Sequence, residues 1–431
     1  MKILRNNIPT NITCLALSLT LCFSSCTKEY QDPSRAKTDV ALGTQQGLTA
    51  VAIGLQRVYT LTRTGVMFNS VAANGFVTNE LRLLNSGNIP ELQLSAGGST
   101  VDGTNTILFN LWTSANKIIY DADLVIANAG NLGDKGYAAG LIAYSSIFKA
   151  LAIGNMAQYW EKIPDGTGKN VPFIIRSAGF TKAIAVLDNA LNVIAANSIS
   201  ASFLGNIPSD VNIINTIHAL KARYALFSGN YPLALTEANA VDLTKSSFFK
   251  FDATSPNILF SIISSNNVFQ PLNANLGLTG ANTPDAADKR IAFYTVMAGA
   301  TPTLRMNGFA AATASPFPIY LPGEMILIKA EALARQPDLT NSLIELNKVV
   351  TKTSDLFGVA AALPPLVGPY TQQQLLDLIY KHRSIELYAS GLKIEDMRRF
   401  NQPLADRKRD FFPYPFQERD NNTNTPVDPA F

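Results

Sequence analysis

What most restricts the fold of this chain is a recurring apolar period of about 3.6 residues, the repeat of an α-helix. Residues 41–62, 109–129, 138–160, 181–196, 212–228, 232–241, 322–335, 340–351 and 371–390 place apolar side chains three and four apart, and each predicts an amphipathic helix. Such helices must bury their stripes against one another, which makes the expected fold mainly α. The helix ends carry matching chemistry. Thr371 and Gln374 form a capping-box pattern ahead of Leu375 and Leu376. Pro232 and Pro322 stand where a first-turn proline is tolerated, and Gly391 follows Ser390 as a left-handed stop. Two stretches, 63–108 and 243–321, lack the period and are rich in Gly, Asn, Ser, Thr and Pro. They are expected to be long inserted loops carrying a small strand pair.

A degenerate repeat runs through the helical part. Phe148-Lys149-Ala150, Leu220-Lys221-Ala222 and Ile328-Lys329-Ala330 each open the second half of a helix. Gly229, Tyr231 and Ala234 then mark a tight turn into a second helix, the spacing of a tetratricopeptide-like hairpin, in which a small Ala lets two helices approach. The repeats are unequally spaced, so insertions must interrupt any solenoid.

The first residues read as an export signal. Lys2 and Arg5 precede an apolar run over 12–23, shorter than the ~20 residues of a membrane span. Phe23-Ser24-Ser25-Cys26 resembles a lipobox, with Cys26 the lipidated residue. The expected organisation is a signal over 1–25, a polar tether over 26–40 and one domain over 41–431. The other cysteines, Cys14 and Cys22, lie within the signal, so the mature chain has no disulfide and no thiolate metal site. No later run reaches the ~18 apolar residues of a spanning helix.

Charge narrows the partners. The 35 basic residues against 32 acidic ones leave a net charge of +3, without the basic excess that nucleic-acid binding needs. Abundant Asn gives a neutral polar surface suited to hydrogen bonding with uncharged polyols or peptides. No His-Glu-x-x-His, Walker A or Gly-x-Ser-x-Gly pattern is present. His218 and His382 both fall on helix faces, which disfavours a Ser-His-Asp triad. Gly166-Thr167-Gly168-Lys169-Asn170 mimics a phosphate loop but lacks its upstream Gly and its Ser/Thr, and reads as a turn.

The C-terminal part carries a family likeness. Its residues are Glu324 through Ala332, then Leu346-Asn347-Lys348-Val349-Val350. Next come Lys381-His382-Arg383-Ser384-Ile385-Glu386-Leu387, then Gly391, and Asp396-Met397-Arg398-Arg399-Phe400. Pro413-Tyr414-Pro415 with Glu418 and an Asn-rich tail close the pattern. Together they resemble the SusD/RagB family of outer-membrane nutrient-binding lipoproteins, over nearly the whole mature length. His382 and Ser390 depart from the family's usual Glu, and the chain is short for the family.

The resemblance implies a tetratricopeptide-like scaffold with long inserted loops, lipid-anchored at the cell surface through Cys26. It implies a lid on a SusC-like TonB-dependent outer-membrane barrel, with oligosaccharide or peptide cargo, no cofactor, no metal and no catalysis. Ligand contacts would come from the loops: Phe76, Asn79, Glu80, Arg82, Asn85 and Asn88 in the first, and Phe269, Asn273, Asn275, Phe293, Tyr294, Arg305, Asn307 and Phe309 in the second. Arg383, Glu386, Asp396, Arg398 and Arg399 read as a structural ion-pair network rather than a catalytic cluster. Trp112 and Trp160 read as core. A protein-interaction scaffold and a surface hydrolase are the competing classes, the latter because paired carboxylates are defined only in space.

Overall fold

The computed structural model describes residues 42–431. The signal over 1–25, the tether over 26–40 and Cys26 lie outside the described residues.

Sixteen helices are traced among them. In the first half these are α1 (Gln45–Thr60), α2 (Val66–Val77), α3 (Ile89–Ala96), α4 (Thr106–Ala129), α5 (Lys135–Tyr159), α6 (Arg176–Ala196), α7 (Ala201–Leu204) and α8 (Ile213–Phe227). The second half holds α9 (Tyr231–Ala240), α10 (Ile258–Ser264), α11 (Lys289–Tyr294), α12 (Pro322–Arg335), α13 (Leu339–Val350), α14 (Gln372–Glu386), α15 (Lys393–Arg399) and α16 (Phe416–Asn421). Side chains cap many of them. Asn105 accepts from the Ile107 and Leu108 amides, Asp134 from Tyr137 and Asn230 from Leu233. The Thr371–Gln374 capping box forms in both directions.

The long helices stack in chain order. α1 lies on α4, α4 on α5, α5 on α6, α6 on α8, α8 on α9, α9 on α12, and α12 on α13 and α14. α5 is apolar and long enough to cross a membrane by composition, yet it is mostly buried, among α1, α4, α6 and α8. One core cluster runs from α1 to α12 and takes in Ile385, Ile394, Phe412 and Tyr414 of the C-terminal part. A second joins Leu327, Leu346, Ile379 and Met397 of α12 to α15.

The first inserted stretch is not simply a loop. α2 occupies Val66–Val77, and every one of its residues is buried. A helix enclosed on all sides has no polar face, so no period marks it. Among the described residues, four two-stranded antiparallel ladders replace the expected single pair. β1 (Leu81–Leu83) pairs with β5 (Phe269–Pro271), and β2 (Lys162–Pro164) with β3 (Phe173–Ile175). β4 (Phe248–Phe249) pairs with β8 (Phe317–Pro318), and β6 (Thr295–Ala298) with β7 (Thr303–Met306). The β1–β5 ladder thereby ties the first insertion to the second.

Buried ion pairs lock the C-terminal helices. Both oxygens of Asp396 accept from Arg383, at 3.0 Å each, and Oδ1 also accepts from Arg399 at 2.8 Å. Glu331 on α12 accepts from Arg399 at 2.7 and 2.8 Å. Arg398 reaches Glu395 and Asp410 at 2.9 and 3.0 Å. Arg383 and Glu386, three apart on α14, pair with different partners. Glu386 turns to Arg290 and Lys352.

Candidate functional site

Four half-buried phenylalanines from four separate segments converge on one face. Phe248 sits on β4, where the alternation of a strand sends its neighbour Phe249 into the core. Phe293 lies on α11, Phe309 in a turn over Gly308–Ala310, and Phe357 in the loop after α13. The rings meet edge to face: Phe293–Phe309 at 5.3 Å, Phe309–Phe357 at 5.8 Å and Phe248–Phe357 at 6.2 Å between centroids.

Local chemistry fixes Phe293, Phe309 and Phe357. Gly308 has φ 59°, and a Cβ there would stand 2.7 Å from the Phe293 ring, so only glycine allows both the turn and the approach. Asp355 holds the Phe357 loop. Its Oδ1 accepts from the amides of Phe357 and Val359, both at 2.9 Å, and its Oδ2 from Lys352 at 2.7 Å. Leu356 beside it is 51% exposed. Clustered, rigid, partly exposed rings suit a ligand with apolar C–H faces.

The sequence-predicted residues divide. Phe76 is fully buried, at 5.8 Å from the Phe269 ring. Glu80 is buried and accepts from Asn74 and from the Ala389 amide. Burial raises its pKa above the ordinary carboxylate value, against the opposing pull of Lys393. Tyr294 is buried behind Phe293, with its hydroxyl donating to the Glu386 carbonyl. These three side chains are taken up by packing. Asn79 adopts φ 61° and donates to the Asp406 carbonyl. Arg82 faces Gln270 across the β1–β5 ladder, and among the described residues its buried Nε has no partner. Asn85 is exposed and donates to Asn267 Oδ1 at 3.1 Å. No hydrogen bond or ring contact among the described residues joins Asn79, Arg82 or Asn85 to Phe293.

The sequence reading missed Phe248 and Phe357. Phe357 does carry a signal: Asp355-Leu356-Phe357-Gly358 is an Asp-to-Gly turn that presents two large apolar residues. Among the described residues no group of three or more His, Cys, Asp or Glu is placed to hold a metal ion.

Solved structures place this architecture. No protein-family model matches the chain, and the curated proteins yield no match by sequence. A SusD superfamily protein from Bacteroides thetaiotaomicron superposes with a TM-score of 0.68 at 14% identity, covering 90% of this chain and 100% of its own. One from Bacteroides fragilis gives 0.67 at 15%, covering 88% and 98%. A SusD-like carbohydrate binding protein from Bacteroides vulgatus gives 0.66 at 15%, covering 84% of each. The chain has the SusD-like fold.

Proposed function

We propose that this chain is a lipid-anchored nutrient-binding protein of the outer-membrane surface, tethered through Cys26. It holds an oligosaccharide on the face of Phe248, Phe293, Phe309 and Phe357 and serves as the lid of a SusC-like TonB-dependent barrel. It binds and hands over its cargo without chemical change. The observation that carries this reading is the phenylalanine face, set by the second inserted segment and the loop after α13 of a SusD-like fold. A phenyl ring covers the C–H face of a sugar, and neutral amides and guanidinium groups hydrogen-bond its hydroxyls. Arg82 and Asn85, on the joined edge of the two insertions, are the proposed polar contacts for a longer oligomer.

Calorimetric titration with neutral oligosaccharides (malto-, cello-, xylo- and mannotetraose) tests the cargo. Wild-type binding should weaken at least tenfold in Phe357→Ala and in Phe293→Ala. Undiminished binding in both variants would remove the site. Binding of peptides instead of every sugar would change the cargo and leave the lid role standing.

A further inference from the structure

A second groove lies away from the phenylalanine face, between α4, the β2–β3 loop and α16. It encloses about 360 Å³, within the roughly 300–1,000 Å³ of small-molecule sites. We infer that it is a separate binding site for a neutral saccharide, extending the saccharide reading above to a second location.

One wall is a helical stripe. Phe109, Thr113, Asn116 and Tyr120 follow one another at spacings of three or four residues along α4 and line the groove together. Tyr120 is 53% exposed, an aromatic ring left open to solvent. Trp112 forms the floor and is rigidly held. It stacks on Phe173 at 6.2 Å with the planes 17° apart, and meets Trp160 at 4.8 Å and Tyr414 at 5.8 Å. Its Nε1 donates to Glu418 at 3.0 Å.

The opposite wall is the glycine-rich stretch that mimics a phosphate loop in the sequence. Here it is the loop of the β2–β3 hairpin, and no helix starts from it. It therefore lacks the helix N-terminus that makes such loops bind phosphate. The C-terminal tail pins it in place. Asn170 Oδ1 accepts from the Thr423 amide at 3.0 Å, the Asn170 carbonyl from Asn424 at 2.7 Å, and the Val171 carbonyl from Asn422 at 3.1 Å. A Cβ at Gly166 would meet nothing within 4 Å, so the loop presents open backbone to the groove.

The lining selects the ligand class. Glu418 is the one charged residue among the lining side chains. Both its oxygens are occupied, by Trp112 and by Asn422 at 2.9 Å. No cationic side chain lines the groove, so an anion finds no counter-charge, and the Glu418 carboxylate is already held by two donors of the protein itself. What is offered is an aromatic ring, amides (Asn116, Gln417), hydroxyls (Thr113, Thr167) and backbone. That combination fits a ring-shaped, uncharged polyol on a preorganised surface.

The reporter is built in. Trp112, which lines the floor, and Trp160, packed edge-on against it from the core, are the chain's two tryptophans. The full-length protein is titrated with the same four tetrasaccharides and with chitotriose, following tryptophan emission alongside calorimetry. A saturable emission change is expected. It should weaken at least tenfold in Tyr120→Ala and Asn116→Ala, whose exposed or half-exposed positions permit folding, verified by unchanged melting. It should persist in Phe357→Ala. An emission change of wild-type strength in both groove variants overturns the inference, and so does silence with all five sugars. Emission silence with calorimetric binding that Phe357→Ala abolishes removes this site alone. Silence in both measurements removes the saccharide reading of both faces.

Discussion

Nη2 of Arg290 lies 2.8 Å from Nδ1 of His382, in the sealed space between α11 and α14. A guanidinium only donates, so Nδ1 accepts and the imidazole keeps its proton on Nε2. Asp288 at 2.6 Å and Glu386 at 3.1 Å complete the neutralisation of Arg290. A neutral ring thus serves as one of the acceptors around this buried guanidinium. Burial, then the charges of Arg290 and Lys381, hold the His382 pKa well below its ordinary value.

That arrangement fixes the sign of a pH effect. Below about pH 6.5 the unfolded histidine takes up a proton that the folded one refuses, so stability falls as pH drops from there toward the folded value. The slope from this one group is at most about 1.4 kcal/mol per pH unit. His382→Asn keeps an acceptor near Nδ1 and cannot titrate. Urea unfolding of wild type and variant between about pH 5 and 7 should diverge by this slope. Parallel curves would place His382 outside the acid response.

Glu331 should be among the costliest polar positions. Burial alone would raise its pKa, but Arg399, Arg383 and Arg335 overcome that and hold it low. Asp396 behaves alike, with Arg383 and Arg399 opposing its burial. The stability these carboxylates contribute is present above about pH 4.5 and is lost as pH falls through their depressed folded values. Glu331→Gln strands buried guanidinium charge and should cost roughly 3–5 kcal/mol in urea unfolding at neutral pH. A loss under about 1 kcal/mol would mean that the arginines find water instead.

Two glycines should respond in opposite directions. A Cβ at Gly323 would stand 1.8 Å from Glu386 Oε1, and that carboxylate is fixed by Arg290 and Lys352. Gly323→Ala should destabilise by about 1–3 kcal/mol. Gly54, inside α1, has nothing within 4 Å of its Cβ position, and Gly54→Ala should stabilise by about 0.5–1 kcal/mol. Thermal melts of both variants check the pair.

Much of the helical frame was legible because many of its helices have two unlike faces, while α5, buried nearly all round, was legible by the length of its helical run. Predicted and observed ends of the helices at 322–335 and 371–390 agree at the N-termini, where the first-turn Pro322 and the Thr371–Gln374 capping box act locally. α2 was illegible because it has one kind of face only. The site was half legible. Phe248, Phe293 and Phe309 all stand in a recognised insertion, though Phe248 was not singled out there, and Phe357 lies outside it and joins Phe248 through a contact 109 residues apart in sequence that no local pattern encodes. Phe76 and Glu80 looked like binding groups by type, and burial gave them to the core.

Asp355 should act on binding through Phe357. Asp355→Ala removes the acceptor for two amides and for Lys352. Faster amide exchange confined to residues 352–359 and a several-fold weaker oligosaccharide affinity are expected, with a stability loss of about 1–3 kcal/mol. Unchanged affinity with a loosened loop would separate Phe357 from the ligand.

The most direct test of the proposed lid role is purification of the full-length protein from gently solubilised membranes of cells expressing its neighbouring genes, with copurifying proteins identified by mass spectrometry. The account predicts a large β-barrel receptor at close to one copy per chain. Recovery of the protein alone would contradict it.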